Sequence, residues 1–285
     1  MNQHLPMAIE ADQISLLRDN WTGRGAWLLD EVSLQIPEGA VVGLVGRNGA
    51  GKSTLMRCLL GLTPPRSGSS RLLGSPSLDL SDAVRERLGY VGQEPDLFGW
   101  LNGNQHLREM AAVYENFDTD RALRLALKLD LNMGRRADKL SGGDQQKLAV
   151  VLAMGHDPDL LILDEPVASL DPISRRDFMR ALFTRPADQA PRTVLMSSHL
   201  LNDLERVVSH VLFLREGKVQ LFGEWDGLSE QLLRITMSES PQAQAGLVHW
   251  SAERKQAVVD RQLWQGPCPE AREMGMDELF EALNT

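Results

Sequence analysis

Gly46-Arg47-Asn48-Gly49-Ala50-Gly51-Lys52-Ser53-Thr54 is the stretch whose reading decides the fold. It satisfies the pattern G-x-x-x-x-G-K-[ST] in full, with Gly46, Gly51, Lys52 and Ser53 at the required positions. A strand-like apolar run, residues 40–45, precedes it, and a helix-like run, residues 53–60, follows. The glycines at 46, 49 and 51 let the backbone turn so tightly that successive N–H groups point inward at phosphate oxygens. The helix N-terminus behind them adds partial positive charge. Lys52 is placed to reach the β- and γ-phosphates, and the Ser53 hydroxyl to ligate Mg²⁺. Asn48 and Thr54, within the loop and at the helix head, belong to the same cradle. The expected ligand is a nucleoside triphosphate with Mg²⁺.

Composition narrows the rest. The 285 residues are 42% hydrophobic and 24% charged, ordinary for a globular chain with a sizeable core. No apolar run approaches the length of a membrane span. The first ten residues lack a basic segment followed by an apolar one, which argues against a secretory signal. Two cysteines, Cys58 and Cys268, make no disulfide framework, and Cys58 lies in the apolar helix after the phosphate loop. A cytosolic setting fits these features. The net charge is −9, and no basic stripe stands out, so nucleic acid is not expected as a partner.

Along the chain, residues 8–36 read as β-rich, with Ile14, Leu16, Val32, Leu34 and Ile36 at the strand period. Residues 63–77, rich in Pro, Gly and Ser, read as a loop broken by one short strand. Residues 96–139 change character. Leu107, Met110, Ala111 and Tyr114 follow helical spacing, as do Ala122, Leu125, Ala126 and Leu129. Leu160-Leu161-Ile162-Leu163 and residues 193–197 suit strands buried on both faces, with a helix at 178–183 between them. Alternating strands and helices imply a parallel sheet with helices outside it. Residues 211–214 and 218–222 read as a hairpin. After Gly223 the pattern is hard to read. Residues 270–283 form a candidate final helix, with Leu279, Phe280 and Leu283 on one face. Trp225, Trp250 and Trp264 are candidate core anchors.

Two further segments carry chemistry. The apolar strand ending in Asp164 places a carboxylate at the carboxyl edge of a parallel sheet, where ligands bind. Asp164 can hold Mg²⁺, and Glu165 beside it can act as general base on the attacking water. Leu140-Ser141-Gly142-Gly143-Asp144-Gln145-Gln146-Lys147 opens a long helical run, a second anion site. One triphosphate does not need two such sites.

Leu-Ser-Gly-Gly between a phosphate loop and Leu-Asp-Glu-Pro resembles the ATP-binding subunit of the ATP-binding cassette (ABC) family. The resemblance runs over about residues 8–223 and implies an α/β fold. Its parts are a P-loop NTPase core with a parallel sheet, an N-terminal antiparallel β subdomain and an inserted helical subdomain at about 94–140. Residues 224–285 then form a C-terminal extension. It implies a head-to-tail dimer, of two like or related subunits, in which Ser141, Gly142 and Gly143 bind the γ-phosphate held by the partner subunit. By the same resemblance Gln93 is a Mg²⁺ or water ligand that senses a membrane partner. Asp171, in Ser169-Leu170-Asp171, links the two sites, and His199 hydrogen-bonds the γ-phosphate and positions Glu165.

The family has Gln where this chain has Asp144, which is expected to point outward or cap its helix. An aromatic residue before the strand at 32–36 is expected to stack on adenine; Trp21 fits, with Trp27 as rival. Without a membrane span in this chain, a transporter reading requires a separate integral membrane permease, with the chain on the cytoplasmic face as a peripheral subunit. Phe98, Trp100 and Leu101 fall near the family's docking region, or pack within the helical insert. Segments 104–114 and 276–280 are similar to bacterial ABC-2-type exporters. The alternatives are an importer ATPase, or a soluble ABC ATPase acting on ribosomes or DNA. If Trp21 stacks on the base, Trp21→Ala weakens ATP binding measured by titration calorimetry while Trp27→Ala leaves it unchanged; the reverse result assigns the role to Trp27.

Overall fold

The computed structural model describes residues 6–18, 25–168, 170–183, 185, 189–237, 241, 245–268 and 270–284. Trp21 and Ser169 lie outside the described residues. The first half comprises β1 (Met7–Arg18), β2 (Ala26–Pro37), β3 (Val41–Val45), α1 (Lys52–Leu59), β4 (Ser67–Leu72), β5 (Ser75–Pro76), α2 (Asp82–Arg85), β6 (Leu88–Val91), α3 (Gly103–Val113) and α4 (Thr119–Lys128). It continues through α5 (Gly142–Met154), β7 (Leu160–Leu163), α6 (Pro172–Phe183), β8 (Thr193–Ser197), α7 (Leu201–Leu204), β9 (His210–Arg215) and β10 (Lys218–Glu224). The last part holds α8 (Trp225–Gln231), β11 (Leu232–Thr236), β12 (Leu247–Ser251), β13 (Gln256–Asp260), β14 (Arg272–Glu273) and α9 (Met276–Leu283).

The central sheet runs β10-β9-β3-β8-β7-β6, parallel except for β10 at its edge. Every residue of β7 and β8 is buried. That matches the unbroken apolar sequence of β7 and the apolar centre of β8, since helices cover both faces of a parallel sheet. A second, antiparallel sheet, β2-β1-β4-β5, packs across α1. Leu55, Met56, Cys58 and Leu59 of α1 are fully enclosed between the two sheets, with Ile14, Val32, Leu44 and Ile162 in the same cluster. Each such aliphatic side chain contributes about 1.5–3 kcal/mol by leaving water. This burial pins the phosphate loop, which is continuous with α1. Desolvation also pushes the Cys58 thiol up to about 11, so it is an inert core residue.

The helical insert is α3 and α4, packed on α5 through Leu107, Ala122, Leu125, Ala126, Leu129 and Leu148. Asn102 starts α3 with a capping box: its Oδ1 accepts from Gln105 N–H at 2.9 Å, and its own N–H donates to Gln105 Oε1 at 2.8 Å. Asp118 caps α4 by accepting from Arg121 N–H at 2.8 Å. The insert is tied to the core by charge. Asp157 receives Arg121 of α4 at 3.0 Å and Arg192, beside β8, at 2.6 Å, with Arg185 at 3.5 Å.

Two sequence expectations need correction, and the region without a sequence reading proves to be folded. Residues 63–77 contain two strands, β4 and β5, not one. β4 (Ser-Gly-Ser-Ser-Arg-Leu) has no apolar alternation and exists because β1 pairs with it, Ile9 opposite Leu72 and Ala11 opposite Ser70. The final helix begins at Met276, not Glu270. Residues 272–273 are β14 instead, and the helix start is held by Met276 N–H on Glu205 Oε1 at 3.3 Å and Gly275 N–H on Glu278 Oε2 at 3.4 Å. Finally, the unreadable region holds a third sheet, β12-β13-β11-β14. Its central strand is buried on both sides: Ala257 and Val259 lie in one cluster with Trp264, and Val258 lies in the cluster shared with α9 and the ATPase-like core. Trp225 and Trp264 are buried, as core anchors should be, and Trp250 is half-buried.

Asp157→Ala leaves the buried Arg192 guanidinium without its carboxylate. The variant is expected to lose about 3–5 kcal/mol of stability in chemical denaturation, since it strands a charge where the wild type has a pair.

Candidate active site

Three neighbouring strands deliver the site. β3, β8 and β7 end at the same edge: Leu44 pairs with Ser197, and Leu163 with Met196. The residues just past those ends are Gly46–Thr54, Ser198-His199 and Asp164-Glu165.

The phosphate loop is closed by backbone packing. A Cβ on Gly46 would stand 2.5 Å from the Leu214 carbonyl oxygen, so only glycine fits that approach. Gly51 has φ 105°, and a Cβ there would meet the Leu28 carbonyl oxygen at 2.7 Å. No side chain caps α1, and no acidic residue occupies its first turn. The amides at Lys52, Ser53 and Thr54 are therefore donors for an anion. A Cβ-free cradle of this kind fits a triphosphate.

Lys52 is buried. Its Nζ donates to the Gly46 carbonyl at 2.8 Å and lies 3.6 Å from Glu165 Oε1. The other Glu165 oxygen, Oε2, is 2.8 Å from His199 Nδ1, which carries the hydrogen when the carboxylate is ionised. The His199 side chain is 54% exposed and that of Glu165 9%, so the carboxylate is shielded while its partner faces the solvent side. Glu165 takes φ 50°, an uncommon backbone for a non-glycine residue. Asp164 is buried beside it and accepts from the Ser197 hydroxyl at 2.6 Å. Hydroxyl, amide and carboxylate oxygens from Ser53, Gln93 and Asp164 make a donor set suited to a hard divalent cation. Among the described residues no group of three or more His, Cys, Asp or Glu gathers to hold a metal. Gln93 follows β6 and is exposed. The Gly92 carbonyl beside it accepts from Gln146 of α5 at 3.4 Å, tying the two segments.

The Ser141–Gly143 turn is presented at the surface. Ser141 caps α5: its Oγ accepts from Asp144 N–H at 3.1 Å and donates to Asp144 Oδ2 at 2.9 Å. Asp144 also lies 3.6 Å from Lys147 Nζ. The carboxylate is thus engaged in its own helix turn, but the N-cap is Ser141 and not Asp144, whose carboxylate accepts only from the Ser141 hydroxyl and pairs with Lys147. Asp171 caps α6, its Oδ1 accepting from Ser174 N–H at 3.1 Å, with Pro172 at the first helical position. Trp27 lies on β2 opposite Leu17 and is 49% exposed.

Sequence reasoning missed two neighbours. Phe280 of α9 lines a 350 Å³ cavity with Gly46, Arg47, Asn48, Ser198, His199 and Leu201. A helix some 230 positions downstream carried no local signal for this. Ser197 is the other, addressed below. Elsewhere, Phe98 and Trp100 are 54% and 66% exposed with ring centroids 5.2 Å apart, which favours an apolar surface over packing within the insert.

The arrangement is that of a nucleotide-hydrolysing cassette, and the comparisons agree. The ABC transporter family profile matches residues 29–168. The chain is 32% identical to the bacitracin transport ATP-binding protein BcrA of Bacillus licheniformis, over 67% of this chain and 63% of that one. It is 35% identical to the phosphonates import ATP-binding protein PhnC of Halobacterium salinarum, over 70% of this chain and 75% of that one. The dimeric post-hydrolysis structure of the ATP-binding cassette MJ0796 bound to ADP and Pi shares the fold, with a TM-score of 0.68 at 23% identity, covering 76% of this chain and 98% of that one. The chain spans 63% of BcrA's length. This chain belongs to the ABC transporter family.

Because Asp144 is already held by Ser141 and Lys147, Asp144→Gln is expected to change ATP-driven self-association by no more than about twofold, under ~0.5 kcal/mol, in analytical ultracentrifugation.

Proposed function

We propose that this chain binds and hydrolyses Mg²⁺–ATP and drives transport through a separate integral membrane permease, in the export direction. The observation that carries the enzymatic part is the convergence of Lys52, Glu165 and His199 within 3.6 Å contacts at one sheet edge, beside the buried Asp164. Gly46, Asn48, Gly49, Gly51, Lys52, Ser53 and Thr54 cradle the phosphates of the subunit's own nucleotide. Glu165 orients and deprotonates the attacking water, and His199 holds Glu165 and the γ-phosphate. Mg²⁺, when bound, neutralises phosphate charge; Ser53, Gln93 and Asp164 would hold it. Lys52 pairs with Glu165 in this structure, so an arriving phosphate would compete for Lys52 and leave Glu165 to water and His199.

The outward-facing Ser141–Gly143 turn supports a head-to-tail dimer, homomeric or with a related subunit, in which it meets the partner's γ-phosphate and Asp171 links the two sites. MJ0796 is a dimer in its solved structure. Residues 1–223 would be the ATPase domain, with the helical subdomain at about 94–140, and 224–285 an extension packed on it. Among the described residues no helix is long and apolar enough to cross a membrane. We place the subunit peripherally at the cytoplasmic face, with the exposed Phe98–Trp100 pair toward the permease. Export rests on the likeness of segments 104–114 and 276–280 to ABC-2-type exporters, and on similarity to a bacitracin transport protein. Import is the second reading, favoured by the similarity to PhnC.

Glu165→Gln tests the whole reading. It should cut ATP turnover by about 10²–10⁴-fold while ATP still binds. Purified with ATP from detergent-solubilised membranes, it should bring down a polytopic membrane protein; ribosomal or nucleic-acid material instead would point to a non-transport ATPase.

A further inference from the structure

Ser197 ends β8 and is fully buried, directly after Val194, Leu195 and Met196, which are core. Among the described residues its hydroxyl makes two hydrogen bonds, both to the neighbouring strand end. It donates to Asp164 Oδ1 at 2.6 Å, and it accepts from Glu165 N–H at 2.8 Å. A hydroxyl suits both demands at once, because it carries one donor and two acceptor lone pairs. The carboxylate can only accept, and the amide can only donate.

These contacts close a ring. Ser197 grips the Glu165 amide, the Glu165 carboxylate reaches His199 Nδ1 at 2.8 Å, and His199 lies two residues beyond Ser197 on the same chain. The residue enclosed by the ring is the one with φ 50°. Backbone in that region persists at functional sites when its surroundings over-determine it, and the Ser197–Glu165 bond is one such restraint. At the same time the short bond to Oδ1 fixes the rotation of the Asp164 carboxylate, leaving Oδ2 as the oxygen to face a cation.

We propose that Ser197 is a positioning residue for ATP hydrolysis, which sets the Asp164 carboxylate for the metal and the Glu165 backbone for the water with a single hydroxyl. The proposal rests on the ATPase reading above. It assigns Ser197 no contact with nucleotide. It follows that loss of the hydroxyl should impair metal handling and turnover together, while leaving the phosphate loop's own grip on ATP intact.

The test uses the full chain with Ser197→Ala, Ser197→Thr and Ser197→Cys. Turnover is measured at saturating Mg²⁺–ATP, Mn²⁺ affinity in the presence of ATP by electron paramagnetic resonance, and ATP affinity in EDTA by calorimetry. Ser197→Ala should lower kcat by about tenfold or more with KM changed by no more than about twofold. Its Mn²⁺ affinity should fall and its metal-free ATP affinity should match wild type. Ser197→Thr, which keeps the hydroxyl and suits a strand, should restore both turnover and Mn²⁺ binding. If Ser197→Ala fails to fold, Ser197→Cys carries the comparison, since its thiol is close in shape and a weak donor; it should show the Ala-type losses. Wild-type turnover and Mn²⁺ binding in Ser197→Ala, or in Ser197→Cys where Ala does not fold, overturns the proposal. So does a Ser197→Thr variant that folds but is as impaired as Ala. A wild-type chain that neither binds nor hydrolyses ATP would overturn the nucleotide reading itself, and is distinguished from these by the wild-type measurement alone.

Discussion

The chemistry of this protein depends on the parallel register of β3, β8 and β7. With Leu44 opposite Ser197 and Leu163 opposite Met196, the phosphate loop, the Ser198-His199 step and the Asp164-Glu165 pair leave the sheet side by side. A one-residue slip would turn the buried faces of these strands the wrong way and separate the groups. Slippage is opposed by burial: β7 and β8 are enclosed on both faces, and α1 is locked between two sheets through Leu55, Met56 and Leu59.

That apolar enclosure explains how charged groups can be held so firmly. Lys52 and Glu165 are both nearly inaccessible, and a buried ion pair is sustained only when its remaining hydrogen-bonding capacity is met. Here Lys52 has the Gly46 carbonyl and Glu165 has His199. The same logic runs through Asp157, where three arginines from separate segments share one carboxylate and hold the helical insert to the core. The insert thus keeps its own apolar packing on α5 yet is fastened to the sheet by a polar joint. A second link, Gln146 to the Gly92 carbonyl, joins the helix that carries the Ser141 turn to the segment that carries Gln93.

The last segment is not a loose appendage. α9 packs Met276, Leu279 and Leu283 into the main core, and Arg215 Nη1 donates to the Leu283 carbonyl at 2.8 Å. Ion pairs from Arg234 to Glu278 and from Arg254 to Glu281 connect the helix to the third sheet and its hairpin. Phe280 thereby reaches the cavity beside Asn48 and His199.

Local sequence determined much of this. The Gly46–Thr54 pattern, the apolar runs of β7 and β8, the helical spacing in α3 and α4, and the helix opened by Ser141-Gly142-Gly143 were legible because each is set by neighbours within a few residues. The limits and number of the strands within residues 63–77 and the third sheet were not, since β4 owes its strand to β1 and β13 is buried on both sides, erasing alternation. The candidate residues Lys52, Asp164, Glu165 and His199 were named from motifs, but their mutual contacts were decided by strand register. The two hydrogen bonds of Ser197, to Asp164 and from the Glu165 N–H, and the approach of Phe280, belong to tertiary structure alone: both join groups far apart in the chain, where no local periodicity or propensity can act.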